Sequence, residues 1–183
     1  MGGERVKSNS VRRLTEAGVI AALYAGLTLL LPVFSFGPLQ FRLSEILTIL
    51  PAFTPAAIPG LTVGCLLANG FGLAAGANLA GAWDLLVGTG ATLLAALCAY
   101  ALRSVRIKNT PVWSAVPAVV FNTGLVGAEL CFAVFGGEPD SLWLCLAQVG
   151  IGEVVTAGIG GALLAWMLSR GDLYKRVFSP GKE

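Results

Sequence analysis

Long apolar runs alternate along this chain with short breaks rich in glycine, proline or charge, and the alternation predicts six helices. The first run covers residues 14–34 and ends at a Gly37-Pro38 turn. The second, residues 39–52, is short, and Pro51, Pro55 and Pro59 break the chain around it. Four more runs cover residues 58–75, 83–102, 113–135 and 142–168. Between them lie an AAGANLAG connection, a basic stretch with Arg103, Arg106 and Lys108, and a GGEPDS turn. The long runs approach the ~20 apolar residues that a membrane-spanning helix requires. The short second run carries Arg42 and Glu45, which on a helix stand three residues apart and share a face.

Composition turns this pattern into a class. The 183 residues are 56% hydrophobic and only 12% charged, whereas a soluble domain carries about a quarter charged residues. The expectation is an all-α integral membrane protein: residues 1–183 form a single compact bundle of six transmembrane helices with short basic tails. The basic N-terminus precedes an apolar run without a small-residue cleavage site, so the first span is expected to be retained. Basic residues number four before the first span, three between the fourth and fifth, and four after the sixth. Six crossings with a cytoplasmic N-terminus place all three groups, and both termini, on the cytoplasmic side, as the positive-inside rule asks. Merging the second and third runs would put two of the groups outside, so the second run is expected to cross; a re-entrant hairpin pair keeps the same parity.

With this topology the polar residues converge in depth, at ~1.5 Å of rise per residue. Arg42 and Glu45 lie near the outer start of the second span, Asn69 toward the outer end of the third, and Asp84 opens the fourth. Glu129 lies about two turns below the outer end of the fifth, with Asn122 seven residues deeper on the same face. Gln148 and Glu153 lie roughly two and three turns into the sixth. The first span contributes only Thr15, Tyr24 and Thr28. Ionisable groups at membrane depth are costly and are ordinarily turned inward and used. The expected product is a pocket open to the outside, with Glu45, Asp84, Glu129 and Glu153 against Arg42. The excess carboxylates need a cationic or donor-rich ligand, another partner or a proton. Helix-to-helix hydrogen bonding and headgroup contact are the structural alternatives, strongest for Asp84 and for the amides.

Phe34, Phe36, Phe41, Trp83 and Trp143 cluster near the expected outer surface, as an interfacial belt or, for Phe36 and Trp83, as walls for a flat ligand. Ala17, Ala21 and Ala25 recur every four residues, and Gly18, Ala22 and Gly26 form a parallel row. Such rows admit a second helix closely, from within the bundle or from a partner protein. Cys65, Cys98, Cys131 and Cys145 form no CxxC pair and read as small buried hydrophobes. The sequence has no histidine, no GxxxxGK[ST] loop and no metal-binding or nucleophile–base constellation.

The runs TEAGVIAALYAGLTLLLPVFSFGPLQFRLSEILTILP, AIPGLTVGCLLAN and GAWDLLVGTGATLLAALCAYALR, with FNTGLVGAEL and GIGEVV, resemble the QueT family, FGPLQFRLSE most specifically. The resemblance implies a substrate-binding S component of a bacterial energy-coupling factor (ECF) importer for queuosine precursors, in the plasma membrane. It implies a pocket in the outer half and no cofactor or ATPase in this chain. A transmembrane coupling protein and two cytoplasmic ATPases that hydrolyse ATP would be its partners. Ala17, Gly18, Ala21, Ala22 and Ala25 stand where the family's docking surface lies. A 7-deazaguanine offers a ring N–H beside an exocyclic amine, a bidentate match for a carboxylate. Glu129 or Glu153 is then expected at the base edge and Glu45 or Asp84 at an aminomethyl cation. Asn69, Asn122 and Gln148 would support them, and Arg42 would orient a carboxylate or meet the carbonyl. A stand-alone proton-coupled transporter is the main alternative, since buried carboxylates can relay protons; a membrane enzyme is disfavoured by the missing histidine.

Overall fold

Helix α1 runs from Gly2 to Leu30 and stops before Pro32, whose ring removes a donor and crowds the preceding turn. The chain restarts as the short α2, Pro32–Phe36, so the expected continuous helix over 14–34 is two helices. The computed structural model describes residues 2–37 and 39–178; Pro38 of the expected turn and Lys182 of the tail lie outside them.

After an extended approach through residues 39–42 comes a ten-residue 3-10 helix, Leu43–Ala52. At ~2.0 Å per residue this helix spans ~20 Å, against ~15 Å for an α-helix of equal length. It lies antiparallel to α1. Ser44 bonds Thr28 (2.6 Å), Glu45 meets Tyr24, and Thr54 just beyond the helix donates to Glu16 (3.1 Å). The tighter winding lets a short run cover most of the bundle's depth.

Helix α3 (Ala57–Ala74) returns beside α1. A 3-10 turn, Gly81–Leu85, leads into α4 (Val87–Ala101). The fifth apolar stretch is α5 (Val116–Phe121), a π-helical turn at Asn122–Val126, and α6 (Gly127–Phe135). The sixth is α7 (Pro139–Glu153), a second π-helical stretch at Val154–Gly160, and α8 (Gly161–Ser169). A terminal α9, Leu173–Phe178, was not expected from the sequence; it packs Tyr174 on Phe53, ring centroids 5.5 Å apart. Five helical stretches, Ser10–Leu30, Ala57–Ala74, Gly81–Ser104, Val112–Phe135 and Pro139–Ser169, are long and apolar enough to cross a membrane. Leu43–Ala52 is apolar but shorter. Among the described residues there is no strand beyond an isolated Ile107–Thr110 bridge.

Burial is inverted relative to a soluble protein. Leu23, Phe71, Leu94, Phe132, Ile159 and Leu163 face outward, whereas Arg42, Glu45, Asn69, Asp84, Asn122, Glu129 and Glu153 are buried. That distribution suits a hydrocarbon solvent, where polar groups must find partners inside. One apolar cluster, with Ile20, Leu50, Leu61 and Leu168, closes the end of the bundle at which α9 packs. A second, with Leu130, Cys145 and Val149, joins α6 to α7.

The close approach of α1 and α3 depends on glycine. A Cβ at Gly60 would lie 2.8 Å from the Ala17 carbonyl, and one at Gly64 2.8 Å from the Ala21 carbonyl. Gly64→Val should therefore force the helices apart and cost about 1–3 kcal/mol. Thermal unfolding in detergent measures this, and an unchanged midpoint would show that the contact is slack.

Candidate functional site

The site is assembled around the break between α2 and the 3-10 helix. Arg42 has extended backbone (φ −80°, ψ 99°) just before that helix, so its side chain leaves the helix axis and enters the bundle. It is 4% exposed. Its Nη2 lies 3.5 Å from Asp84 Oδ2, its Nε donates to the Ser35 carbonyl at 3.4 Å, and its Nη1 approaches Cys65 Sγ at 4.0 Å. The guanidinium also stands 5.4 Å from the Phe36 ring centroid. Arg42 is thus paired with Asp84 of the fourth stretch, while its near neighbour Glu45 is bonded to Tyr24.

Asp84 is held by the turn that precedes α4. Asn78 Nδ2 donates to its Oδ2 and Asn69 Nδ2 to its backbone carbonyl, each at 2.8 Å. Gly88 leaves room for the carboxylate; a Cβ there would collide with it. Cys65 belongs to the same layer, where it accepts from Thr92 (3.3 Å) and Asn69 (3.5 Å). Its sulfur therefore works as a buried acceptor, beyond the plain apolar filler that the sequence suggests. All four cysteines are free.

The π-helical turns set the remaining groups. Bonding from i to i+5 adds about a residue to the turn and shifts the register of the helix beyond it. Asn122 opens the first such turn and Glu153 immediately precedes the second. Asn122 stands beside the carboxylates of both Glu45 and Glu153. Glu129, seven residues on from Asn122, was expected on the same face. It instead borders a cavity of about 460 Å³ between the fourth and fifth stretches, walled by Trp83, Val87, Leu125 and Phe132. Glu129 is 7% exposed, and neither carboxylate oxygen has a protein partner. It feels the charges of Asp84 and Arg42, so the cavity abuts the buried network.

Of the eight residues singled out from sequence, Arg42, Glu45, Asn69, Asp84, Asn122 and Glu153 thus form one sealed layer, and Glu129 joins it to the cavity. Gln148 on α7 is half-buried and enters none of these bonds. The expected open pocket is therefore narrow in its polar lining: Glu129 provides it. Phe36 is fully buried beneath Arg42, Trp83 lines the cavity, and Trp143 is exposed. Four carboxylates face one guanidinium. Single oxygens of Glu45, Asp84 and Glu153, besides both of Glu129, have no protein hydrogen-bond partner. Among the described residues no cluster of three or more histidine, cysteine, aspartate or glutamate side chains is placed to hold a metal ion.

Sequence reasoning missed Tyr24, Thr28, Ser35, Cys65, Asn78 and Thr92 as members of the layer. The spacing of Tyr24 and Thr28, four apart on one helix face, was the available signal. Tyr24→Phe should remove the donor to Glu45 Oε1 and cost about 1–3 kcal/mol, because the carboxylate stays buried. Thermal unfolding of Tyr24→Phe beside Glu45→Gln/Tyr24→Phe checks it: the loss should shrink in the second background.

The small-residue rows on α1 separate. Ala21 is buried and Ala17 and Ala25 are half-buried, with Ala17 and Ala21 against Gly60 and Gly64. Gly18, Ala22 and Gly26 are exposed, and a Cβ at Gly18 or Gly26 would meet nothing within 4 Å.

The family described as QueT transporter matches residues 14–170. The chain is 31% identical over 179 residues to the queuosine precursor transporter QueT of Lactococcus lactis subsp. cremoris (strain MG1363), covering 92% of this chain and 99% of that protein. No solved structure matches. This multi-pass membrane protein belongs to the QueT transporter family.

Proposed function

We propose that this chain is the substrate-capturing S component of an ATP-driven ECF importer and takes up a queuosine precursor, a 7-deazaguanine base. The observation that carries the reading is Glu129: a buried carboxylate with two unpartnered oxygens, facing a cavity of about 460 Å³ beside the Trp83 and Phe132 rings. A cavity of this size is at the small end of ligand pockets, as a single bicyclic base requires. The carboxylate accepts the ring N–H and exocyclic amine as a bidentate pair, and the aromatic rings cover the base. The acid excess behind Glu129, with Asp84 and Glu45, suits an aminomethyl cation. Asn69 and Asn122, in the layer behind Glu129, are supporting groups, and Arg42 orients Asp84.

In this reading Leu43–Ala52 is the sixth crossing, the basic end is cytoplasmic, and both termini lie on that side of the bacterial plasma membrane. The exposed Gly18, Ala22 and Gly26 row, with Ala17, Ala21 and Ala25 behind it, receives the transmembrane coupling protein. The ATPases are separate cytoplasmic subunits, consistent with a sequence that lacks a GxxxxGK[ST] loop.

The test is titration of the purified chain in detergent with 7-aminomethyl-7-deazaguanine, its nitrile analogue, queuine and guanine, with thiamine and riboflavin as controls. Selective binding of deazaguanines by the isolated chain is the expected result. A folded chain that binds none of them would refute the substrate. ATP-independent uptake by the chain alone in proteoliposomes would favour the proton-coupled alternative.

A further inference from the structure

Between α4 and α5 the chain folds back as a tight hairpin at the basic end. Ile107 and Thr110 exchange both backbone hydrogen bonds at 2.9 Å, and Lys108 and Asn109 hold left-handed backbone at φ 48° and 68°. Asparagine takes that conformation readily, whereas lysine rarely does. The Arg106 guanidinium braces the turn, donating to the carbonyls of Arg103 and Asn109 at 3.2 Å each. Lys108 is thereby placed on the rim of a groove of about 510 Å³ between the hairpin and the last span.

The groove has apolar walls, Ile107, Val112, Leu163 and Trp166. At Gly158 the π-helical stretch passes without a side chain and lowers the floor. A further cavity of about 290 Å³ shares Ile107, Val112 and Gly158 and continues the groove toward Trp113. Its lining contains no acidic residue. Past Trp166, the Arg170 guanidinium stacks on the indole 3.6 Å from its centroid. A hydrocarbon trough with cations and a tryptophan at one end has the profile of a site at the headgroup level of a leaflet.

We propose that this groove binds an anionic phospholipid, its phosphate at Lys108 and one acyl chain along the wall formed by Ile107 and Leu163. Charge complementarity selects an anionic headgroup over a zwitterionic one. The nearly all-hydrocarbon lining, with Thr110 its one uncharged polar side chain, suits an acyl chain better than a peptide backbone with groups to satisfy. The site is separate from the cavity at Glu129 and independent of the transported substrate.

The test is native mass spectrometry of the full chain in neutral detergent, with phosphatidylglycerol and phosphatidylcholine of identical acyl chains in competition. The parent should retain phosphatidylglycerol preferentially. Lys108→Asn should lower that preference about five-fold, the worth of one cation near a headgroup. The same variant should keep or raise the thermal midpoint without lipid, because asparagine suits the left-handed turn. Arg13→Ala, a charge removed at the same end but away from the groove, should leave the preference unchanged. Ala162→Leu, which fills the groove, should reduce retention of both lipids. Equal retention of the two lipids by the parent, or the same effect from Lys108→Asn and Arg13→Ala, would overturn the proposal.

Discussion

Arg42→Ala should destabilise the protein by about 3–5 kcal/mol, the cost of leaving a buried charge without its partner. For a chain of this size that is a fall of about 6–20 °C in Tm. The size of the effect follows from the surroundings. Arg42 and Asp84 are 4% and 2% exposed, and their side chains meet at 3.5 Å. Among the described residues Arg42 is the one cation within the buried layer. Its loss strands Asp84 and removes the positive charge that faces Glu45, Glu129 and Glu153. The guanidinium also gives up the Ser35 carbonyl and its place over Phe36. Because replacing both members of a buried pair is often tolerated, Arg42→Met with Asp84→Asn should recover a large part of the loss. Thermal or denaturant unfolding of the three proteins in one detergent decides it. A single variant within about 1 kcal/mol of the parent would mean that the carboxylates do not need Arg42.

That pairing marks the boundary of what the sequence made legible. The extents of the long helices were local properties: apolar run length, with proline and glycine at the ends, predicted 58–75 where α3 is Ala57–Ala74. The polar residues that would turn inward were also legible, because a charge inside a lipid-length run has few other places to go. Partner choice was not. Arg42 and Glu45 share a short run, yet Arg42 pairs with a residue 42 positions later and Glu45 with one 21 positions earlier. Those distances are set by how helices lie together, and no periodicity records it.

Helix type was equally hidden. Residues 43–52 carry a pattern compatible with α and 3-10 winding, and only the depth to be covered between Thr28 and Glu16 discriminates them. The two π-helical turns are a third case. Asn122 and Glu129, seven apart, share a face on a regular α-helix, but the wider turn between them sends Asn122 to the Glu45 and Glu153 carboxylates and Glu129 to the cavity. The small-residue rows on α1 looked equivalent in sequence. The glycines of α3 take up Ala17 and Ala21, which leaves the Gly18, Ala22 and Gly26 row on the surface.

Glu129→Gln should weaken binding of 7-aminomethyl-7-deazaguanine about 10- to 100-fold, the worth of one charge-assisted hydrogen bond. The substitution is nearly isosteric, and Glu129 makes no protein hydrogen bond that would be lost. Stability should therefore stay the same or rise, which separates this variant from Arg42→Ala. Glu153→Gln is the informative companion. Glu153 lies in the sealed layer beside Asn122 and Glu45, away from the lining of the cavity. The substitution takes one acid out of the group crowded around Arg42, so its first effect should be on stability, with affinity changed by less than in Glu129→Gln. Isothermal titration of both variants against the aminomethyl base and its nitrile analogue, which keeps the ring edge and lacks the cation, tests the assignment. A loss in Glu129→Gln for both bases places the carboxylate at the ring edge they share, whereas a loss confined to the aminomethyl base places it at the cation. If both variants bind as tightly as the parent, the acids are structural and the ligand site is elsewhere in the bundle.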